Sequence, residues 1–371
     1  MRFPRLKSVF PPMPQGDGVI RIGANDYGLA AEIYDDDRGH IWHLLQLLDG
    51  TREFEQLVVS MQAFDPAVLP ADVAEALGAL TEAGYIEDAA VQPDPALFSP
   101  AEVERYRRNF DFFNYFNLPP LTKYDFQARL KAARVTVLGL GGLGSYVALS
   151  LAAIGVGDLL LVDHDRVEES NLNRQVLYTE RDLGEYKCAA AARRLAEVNP
   201  HVKLEVRNLK VDGVADARAC MAGRNLLVCA ADRPRIRIYE WINEAALQER
   251  VAWIRGANDG LTVNSFLHAP FETACFACGQ LESTRTFPWY QRMRRHAMEV
   301  IGDRTVNPCI SPVAGLIGHL TAFEAVKFLT GVMRPAIYGQ KLTFDLQTLE
   351  VRLTGAPRLH DCPACGGRGD A

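Results

Sequence analysis

The chain reads as an α/β protein, with a mostly parallel sheet in its larger part and a small α+β module in front of it. Two observations point there. Short apolar runs at 135–138, 159–162, 204–206 and 226–229 alternate with longer segments of helical spacing, and strands separated by helices pair in parallel. The first run ends in a glycine cluster, Gly139, Gly141, Gly142 and Gly144, which opens an alanine- and leucine-rich segment ending at Ile154. With 371 residues the chain holds two or three domains; the boundaries are placed at 1–90, 91–133 and 134–371.

The first 15 residues are broken by prolines and lack a signal-peptide core. No apolar run approaches the roughly 20 residues of a membrane span, so the expectation is a cytoplasmic protein with no membrane partner. Residues 1–90 carry 6 Lys/Arg against 15 Asp/Glu, the remainder 34 against 31. Nucleic acid is excluded as a partner, because phosphate contacts need basic residues.

Within 18–88, Val19–Ile22 and Leu29–Tyr34 are expected as strands. Asp35, Asp36 and Asp37 mark a turn, and His40–Leu48 a helix stopped at Asp49-Gly50. Thr51 is placed as the cap of a helix running to Met61. Pro70–Gly84 carries Val73, Leu77 and Leu80 at helical spacing, and Tyr85-Ile86 closes a small sheet. This winged-helix-like pattern resembles the PqqD-like peptide-recognition modules of ribosomal-peptide biosynthesis, through Leu47-Leu-Asp-Gly-Thr51 and Leu77 to Ile86. The resemblance implies that a precursor (leader–core) peptide adds as a strand to the sheet edge and packs on the third helix; the alternative is an appendage for dimer contacts.

A proline-bearing linker, Ala89–Phe98, leads to Ser99-Pro100-x-Glu102, an N-cap, an N1 proline and a capping-box acid. The helix that follows runs through Arg105, Arg107 and Arg108 into Phe110–Phe116.

The glycine cluster lets the backbone approach a phosphate, with the start of a helix aimed at it. Asp163 stands at the tip of the next strand, where a carboxylate meets a ribose. Alone, this Rossmann-like pattern fits NAD or ATP. Asp165, Asn171, Arg174 and Lys187 follow, and cations crowded beside the phosphates suit a site that expels pyrophosphate. ATP is therefore favoured.

Here the chain resembles the ThiF/MoeB/HesA superfamily of ubiquitin-activating-type adenylyltransferases. The residues that carry the resemblance are Gly139-Leu-Gly-Gly-Leu-Gly144, Asp163-His-Asp165, Ser170-Asn-Leu-Asn-Arg-Gln175, Lys187, Asp232 and two C-x-x-C pairs. It implies that the glycine turn holds ATP, that Asp163 binds ribose, that Asn171, Arg174 and Lys187 contact phosphates, and that Asp232 helps hold Mg2+. It also implies a homodimer in which Arg108 reaches the partner's ATP. With the N-terminal module, the chain is similar in kind to microcin-type peptide-adenylating enzymes. The competing readings are a sulfur-carrier-protein adenylyltransferase and a non-catalytic leader-peptide-binding partner.

Val251–Arg255 and Val263–His268 continue the strands. Of eight cysteines, Cys275, Cys278, Cys362 and Cys365 form two C-x-x-C pairs placed in turns, a closed four-thiolate set for structural Zn2+. Between the pairs, Gln280–Asn307 lacks clear periodicity and carries Arg285, Arg292, Arg294 and Arg295. Cys309 stands just before the Ser311-Pro312 helix start, where a helix N-terminus lowers a thiol pKa, and is weighed as a nucleophile. Ser311–Thr330 is expected as a core or dimer helix, and Leu342–Phe344 with Leu349–Leu353 as a hairpin.

Overall fold

The computed structural model describes residues 1–23, 31–301 and 308–367 and divides into two compact units, Met1–Ala128 and Arg129–Ala371.

The first unit begins with β1 (Pro4–Leu6), β2 (Pro12–Gly16), β3 (Val19–Ile22) and β4 (Ala31–Tyr34). Helices α1 (His40–Leu47), α2 (Phe54–Phe64) and α3 (Pro70–Glu82) follow, then β5 (Ile86–Asp88), α4 (Pro100–Arg105) and α5 (Arg107–Phe113). β2, β3 and β4 form one antiparallel sheet, and β1 pairs with β5 in another. Leu44, Leu57, Val73, Leu80 and Ile86 lie in the core that α1, α2 and α3 enclose. The sequence reading omits β1 and β2. Both carry prolines, but both are edge strands, and Pro12 and Pro14 share the parity whose N–H faces away from β3. The cap of α2 is Glu53 in a capping box with Gln56, not Thr51, which hydrogen-bonds Asp49 instead. Leu29 and Ala30 lie outside the described residues. The predicted arginine helix is interrupted at Tyr106, whose φ of −94° and ψ of 10° separate α4 from α5.

α6 (Lys123–Ala132) leads into the second unit. There β6 (Arg134–Leu138), α7 (Gly142–Ile154), β7 (Asp158–Asp163), α8 (Lys187–Val198), β8 (Lys203–Asn208), α9 (Val214–Met221), β9 (Leu226–Cys229), α10 (Arg237–Glu249) and β10 (Ala252–Asp259) alternate. β11 (Thr262–His268), α11 (Phe276–Thr286), α12 (Tyr290–His296), α13 (Ser311–Thr330), β12 (Gln340–Asp345) and β13 (Val351–Gly355) complete it. The sheet order is β13-β12-β11-β10-β9-β6-β7-β8. Pairing is parallel from β10 through β8 and antiparallel from β10 through β13. The central strands β6, β7 and β9 are mostly apolar and buried because both faces are covered, whereas the edge strand β8 is mixed and half exposed. One face packs Leu138, Leu160, Leu227 and Trp253 under α9 and α10. On the other, a Cβ on Gly256 would lie 2.7 Å from Leu143 of α7 and 2.9 Å from Thr321 of α13, so those helices close that side.

α13 is long and apolar enough to cross a membrane, which the sequence reading of short apolar runs overlooks, but most of it is buried inside the unit. It carries a buried ion pair, Glu324 with Lys327, and Glu324 accepts the Ile337 N–H at 3.2 Å. The stretch from Gln280 is a correction too: up to Ile301 it is α11, α12 and a π-helical turn, too short and too basic to show an apolar period, while 302–307 lie outside the described residues.

Candidate active site

The glycine turn sits where β6 ends and α7 begins. Gly139 has a φ of +87°, and a Cβ there would lie 2.7 Å from the Ala231 nitrogen. A Cβ on Gly144 would lie 1.8 Å from the Gly139 carbonyl oxygen, a clash no side chain relieves. Gly142 lies under the stem of Arg174, with Cγ and Cδ 3.6 Å from its virtual Cβ, and Gly141 faces Gln175. The turn therefore leaves backbone N–H groups open at the head of α7, an arrangement that receives anions.

Asp163 fastens the turn from the tip of β7. It is buried; its Oδ2 accepts the Leu140 N–H at 2.6 Å and its Oδ1 accepts the Asp165 N–H at 2.8 Å. The buried Tyr178 hydroxyl donates to the Leu140 carbonyl at 2.9 Å, and burial pushes that phenol well above its ordinary pKa. Asp165 holds Lys187, with Nζ 3.1 Å from Oδ2, and the Lys187 N–H donates to the Asp165 carbonyl at 2.9 Å. The lysine side chain is 7% exposed and the aspartate 55%, so the ammonium is fixed at the start of α8 while its partner faces solvent. Asp163, His164 and Asp165 bring ligand atoms within 4.8 Å of one another.

Asn171 is buried, and its Oδ1 accepts the Glu168 N–H at 3.2 Å, which ties down the loop preceding Arg174. Arg174 donates to the Ser170 carbonyl at 2.8 Å and to Asn173 at 2.9 Å. Asp232 is exposed three residues beyond β9, and among the described residues no ion pair engages it. Its neighbour Ala231 packs against Gly139. Gly139 to Gly144, Asp163, Asp165, Arg174 and Lys187 thus gather at the carboxyl ends of the parallel strands, with the Asp232 loop against them. Arg108 belongs to the first unit, where it is 82% exposed and pairs with Asp111 at 3.1 Å.

Cys309 departs from the sequence expectation. Burial raises its pKa, and the opposing effects of Asn258 and of the Arg174 charge do not reverse it.

Cys275, Cys278, Cys362 and Cys365 come together, all buried, their sulfurs within 4.8 Å of one another. Cys275 lies 3.8 Å from Cys278 and 3.7 Å from Cys362, and Cys278 lies 3.4 Å from Cys365. Tetrahedral zinc with bonds of about 2.3 Å requires sulfurs about 3.8 Å apart, so the set fits. The Leu359 N–H points at the Cys278 sulfur at 3.4 Å. A Cβ on Gly366 would lie 2.2 Å from the His360 carbonyl oxygen, which keeps that turn tight. The first pair is not in a turn: Cys275 caps α11 and Cys278 lies within it.

The profile of the ThiF family matches residues 115–364. Over 244 residues the chain is 32% identical to the sulfur carrier protein ThiS adenylyltransferase of Escherichia coli K12, covering 66% of this chain and 90% of that protein. It is 30% identical to the molybdopterin-synthase adenylyltransferase of the same organism over 273 residues, 73% of this chain and 99% of that protein. The crystal structure of E. coli MccB with AMPCPP and MccA aligns with a TM-score of 0.79 at 20% identity, covering 98% of this chain and 100% of that one. That likeness is one of fold, and it takes in both units.

Proposed function

The chain belongs to the ThiF family and is an ATP-dependent adenylyltransferase; from that premise we propose that it activates a carboxylate or amide of a ribosomally made precursor peptide. The observation that carries the reading is the pairing of an open glycine turn with two fixed cations, Lys187 anchored by Asp165 and Arg174 lying over Gly142.

ATP lies with its phosphates on the N–H groups at the head of α7 and its ribose toward Asp163. A peptide carboxylate oxygen attacks the α-phosphorus, the bond to the bridging oxygen breaks, and pyrophosphate leaves with the negative charge. Lys187 and Arg174 stand where that charge grows, and Asn171 keeps the Arg174 loop in register. Arg108 adds charge from the partner of a homodimer. Asp232, an exposed carboxylate without an ion pair among the described residues, suits Mg2+, which when bound neutralises phosphate charge. Zn2+ at the four cysteines is structural, since four thiolates leave no position for water.

The first unit supplies the peptide site: β4 is an outer strand of its sheet and, unlike the proline-bearing outer strand β2, offers an unpaired edge free of proline among the described residues. The second reading, activation of a sulfur-carrier protein, is favoured by the two named relatives; residues 1–114, which lie outside the family match, weigh against it. Radiolabelled pyrophosphate exchange into ATP separates the readings. Exchange dependent on peptides encoded beside the gene supports peptide activation, and exchange only with a ubiquitin-like protein supports the other. Tight peptide binding with no exchange from any partner would make the chain a presenting partner instead.

A further inference from the structure

The sheet carries two cations that nothing above employs. In β10, Arg255 stands level with Cys229 of β9, which stands level with Leu138 of β6, the residue before the glycine turn. Arg255 is thus two strand spacings, about 10 Å, from the turn at the same end of the sheet. On its other side it faces Phe266 of β11. Lys341 of β12 lies one residue beyond the Ser265–Leu342 pair, so Arg255, Phe266 and Lys341 form a row on one face. This is the face opposite α13, since the neighbouring Gly256 is the one against that helix.

Arg255 is held in place by stacking, its guanidinium 5.1 Å from the centre of the Tyr239 ring and 5.3 Å from that of Phe276. Both cations are half-buried, and among the described residues neither has an ion-pair partner. Asp259 is the carboxylate that acts on Lys341, but its Oδ2 is taken by the Asn264 amide at 3.0 Å. Burial and the Arg255 charge both push the Lys341 pKa down. Two partly desolvated cations on either side of Phe266 repel each other and are stabilised by an incoming anion.

We infer that Arg255 and Lys341 form a carboxylate-binding subsite that selects an acidic group on the peptide being activated. This rests on the peptide-activating reading above. At about 3.3–3.6 Å per extended residue, the 10 Å span places the acid about three residues from the group joined to the α-phosphate. Its source is an Asp or Glu side chain or the α-carboxylate of the peptide's end.

Fluorescein-labelled 12-residue peptides with Asp or Asn at each of the last four positions, each with a free or amidated C-terminus, test the subsite by anisotropy without ATP. The expected result is binding about 10- to 100-fold tighter for acid-bearing peptides, the range of a charged hydrogen bond. The preference should be lost in Arg255→Gln and Lys341→Gln and partly kept in Arg255→Lys. Asp-dependent tightening assigns the side chain, and tightening dependent on the free terminus assigns the α-carboxylate. Equal binding of acids and amides, no binding of any peptide, or a preference that survives both glutamine variants overturns the inference. Circular dichroism confirms that the variants fold. Pyrophosphate exchange on the same peptides reports separately: discrimination without exchange sinks the peptide-activating reading and leaves the subsite standing.

Discussion

Replacing Lys187 by methionine separates catalysis from stability. Methionine keeps the length and apolar bulk of the stem and removes only the charge. In the ground state the ammonium faces Asp165, whose side chain is 55% exposed. Solvent screens such a pair, so its loss costs about 0–1 kcal/mol of folding stability. On the proposed function, the ammonium faces the departing pyrophosphate in the transition state. A unit charge about 4 Å away at an effective dielectric of about 20 contributes about 4 kcal/mol, which corresponds to about a thousandfold in rate; Asp165 neutralises part of it, leaving about 100- to 1,000-fold. Lys187→Met should lower the pyrophosphate-exchange kcat by that factor and shift Tm by about two degrees or less. A rate within threefold of wild type would refute the placement of Lys187 at the leaving group. A Tm lowered by ten degrees with the rate intact would make the lysine a folding element.

Three further outcomes follow from the geometry. The purified chain should hold one zinc per protomer by elemental analysis, and Cys362→Ser or prolonged chelation should lower Tm sharply, because metal binding supplies folding free energy; a metal-free chain of unchanged Tm would dismiss the centre. Lys7, buried with its Nζ donating to the Asn117 carbonyl at 2.8 Å, has its pKa pushed down to about 8 by burial. Its folded-state value lies below its unfolded one, so below pH 8 the buried charge weakens the fold by about 3 kcal/mol, and this penalty fades as pH rises from about 8 toward 10.5. Denaturation across that window should therefore show wild type gaining stability relative to Lys7→Met, and parallel curves would contradict the burial. Arg108→Ala should leave Tm almost unchanged, since its partner Asp111 is reached by an exposed side chain, yet reduce exchange at least tenfold; a protomer carrying it should be active when paired with a Lys187→Met protomer, and failure of that complementation would remove Arg108 from its partner's site.

The glycine turn was legible because its constraints are local. Gly144 is demanded by a contact within the strand–turn–helix itself and Gly139 by its own positive φ, and the acids and cations follow at short range in the chain. The cysteine centre was legible for another reason: thiolate spacing in C-x-x-C carries its own chemistry. What escaped the reading depends on distant pairing. β1 and β2 hide behind prolines that only an edge strand tolerates; the cap of α2 is a local exception, Gln56 reaching back three residues to Glu53. Asp163 also holds the turn, a duty visible only when the Leu140 N–H is seen to meet it. Arg255 and Lys341 lie far apart in sequence; their juxtaposition is a product of the antiparallel register of β10, β11 and β12.

α13 has a consequence for the chain as it emerges from the ribosome. Before the sheet exists to cover it, this segment presents a stretch of the length and composition that translocation machinery accepts. Both of its charges oppose transfer into lipid, where a charge at the centre of a span costs about 2.5–3.5 kcal/mol; Lys327, near the end of the helix, costs less than Glu324. Glu324→Leu with Lys327→Leu should shift the newly made protein into the membrane fraction; recovery of that variant entirely in the supernatant would show that the charges play no part. The same ion pair that is awkward to bury in the finished molecule should, on this prediction, steer the unfinished one away from the bilayer.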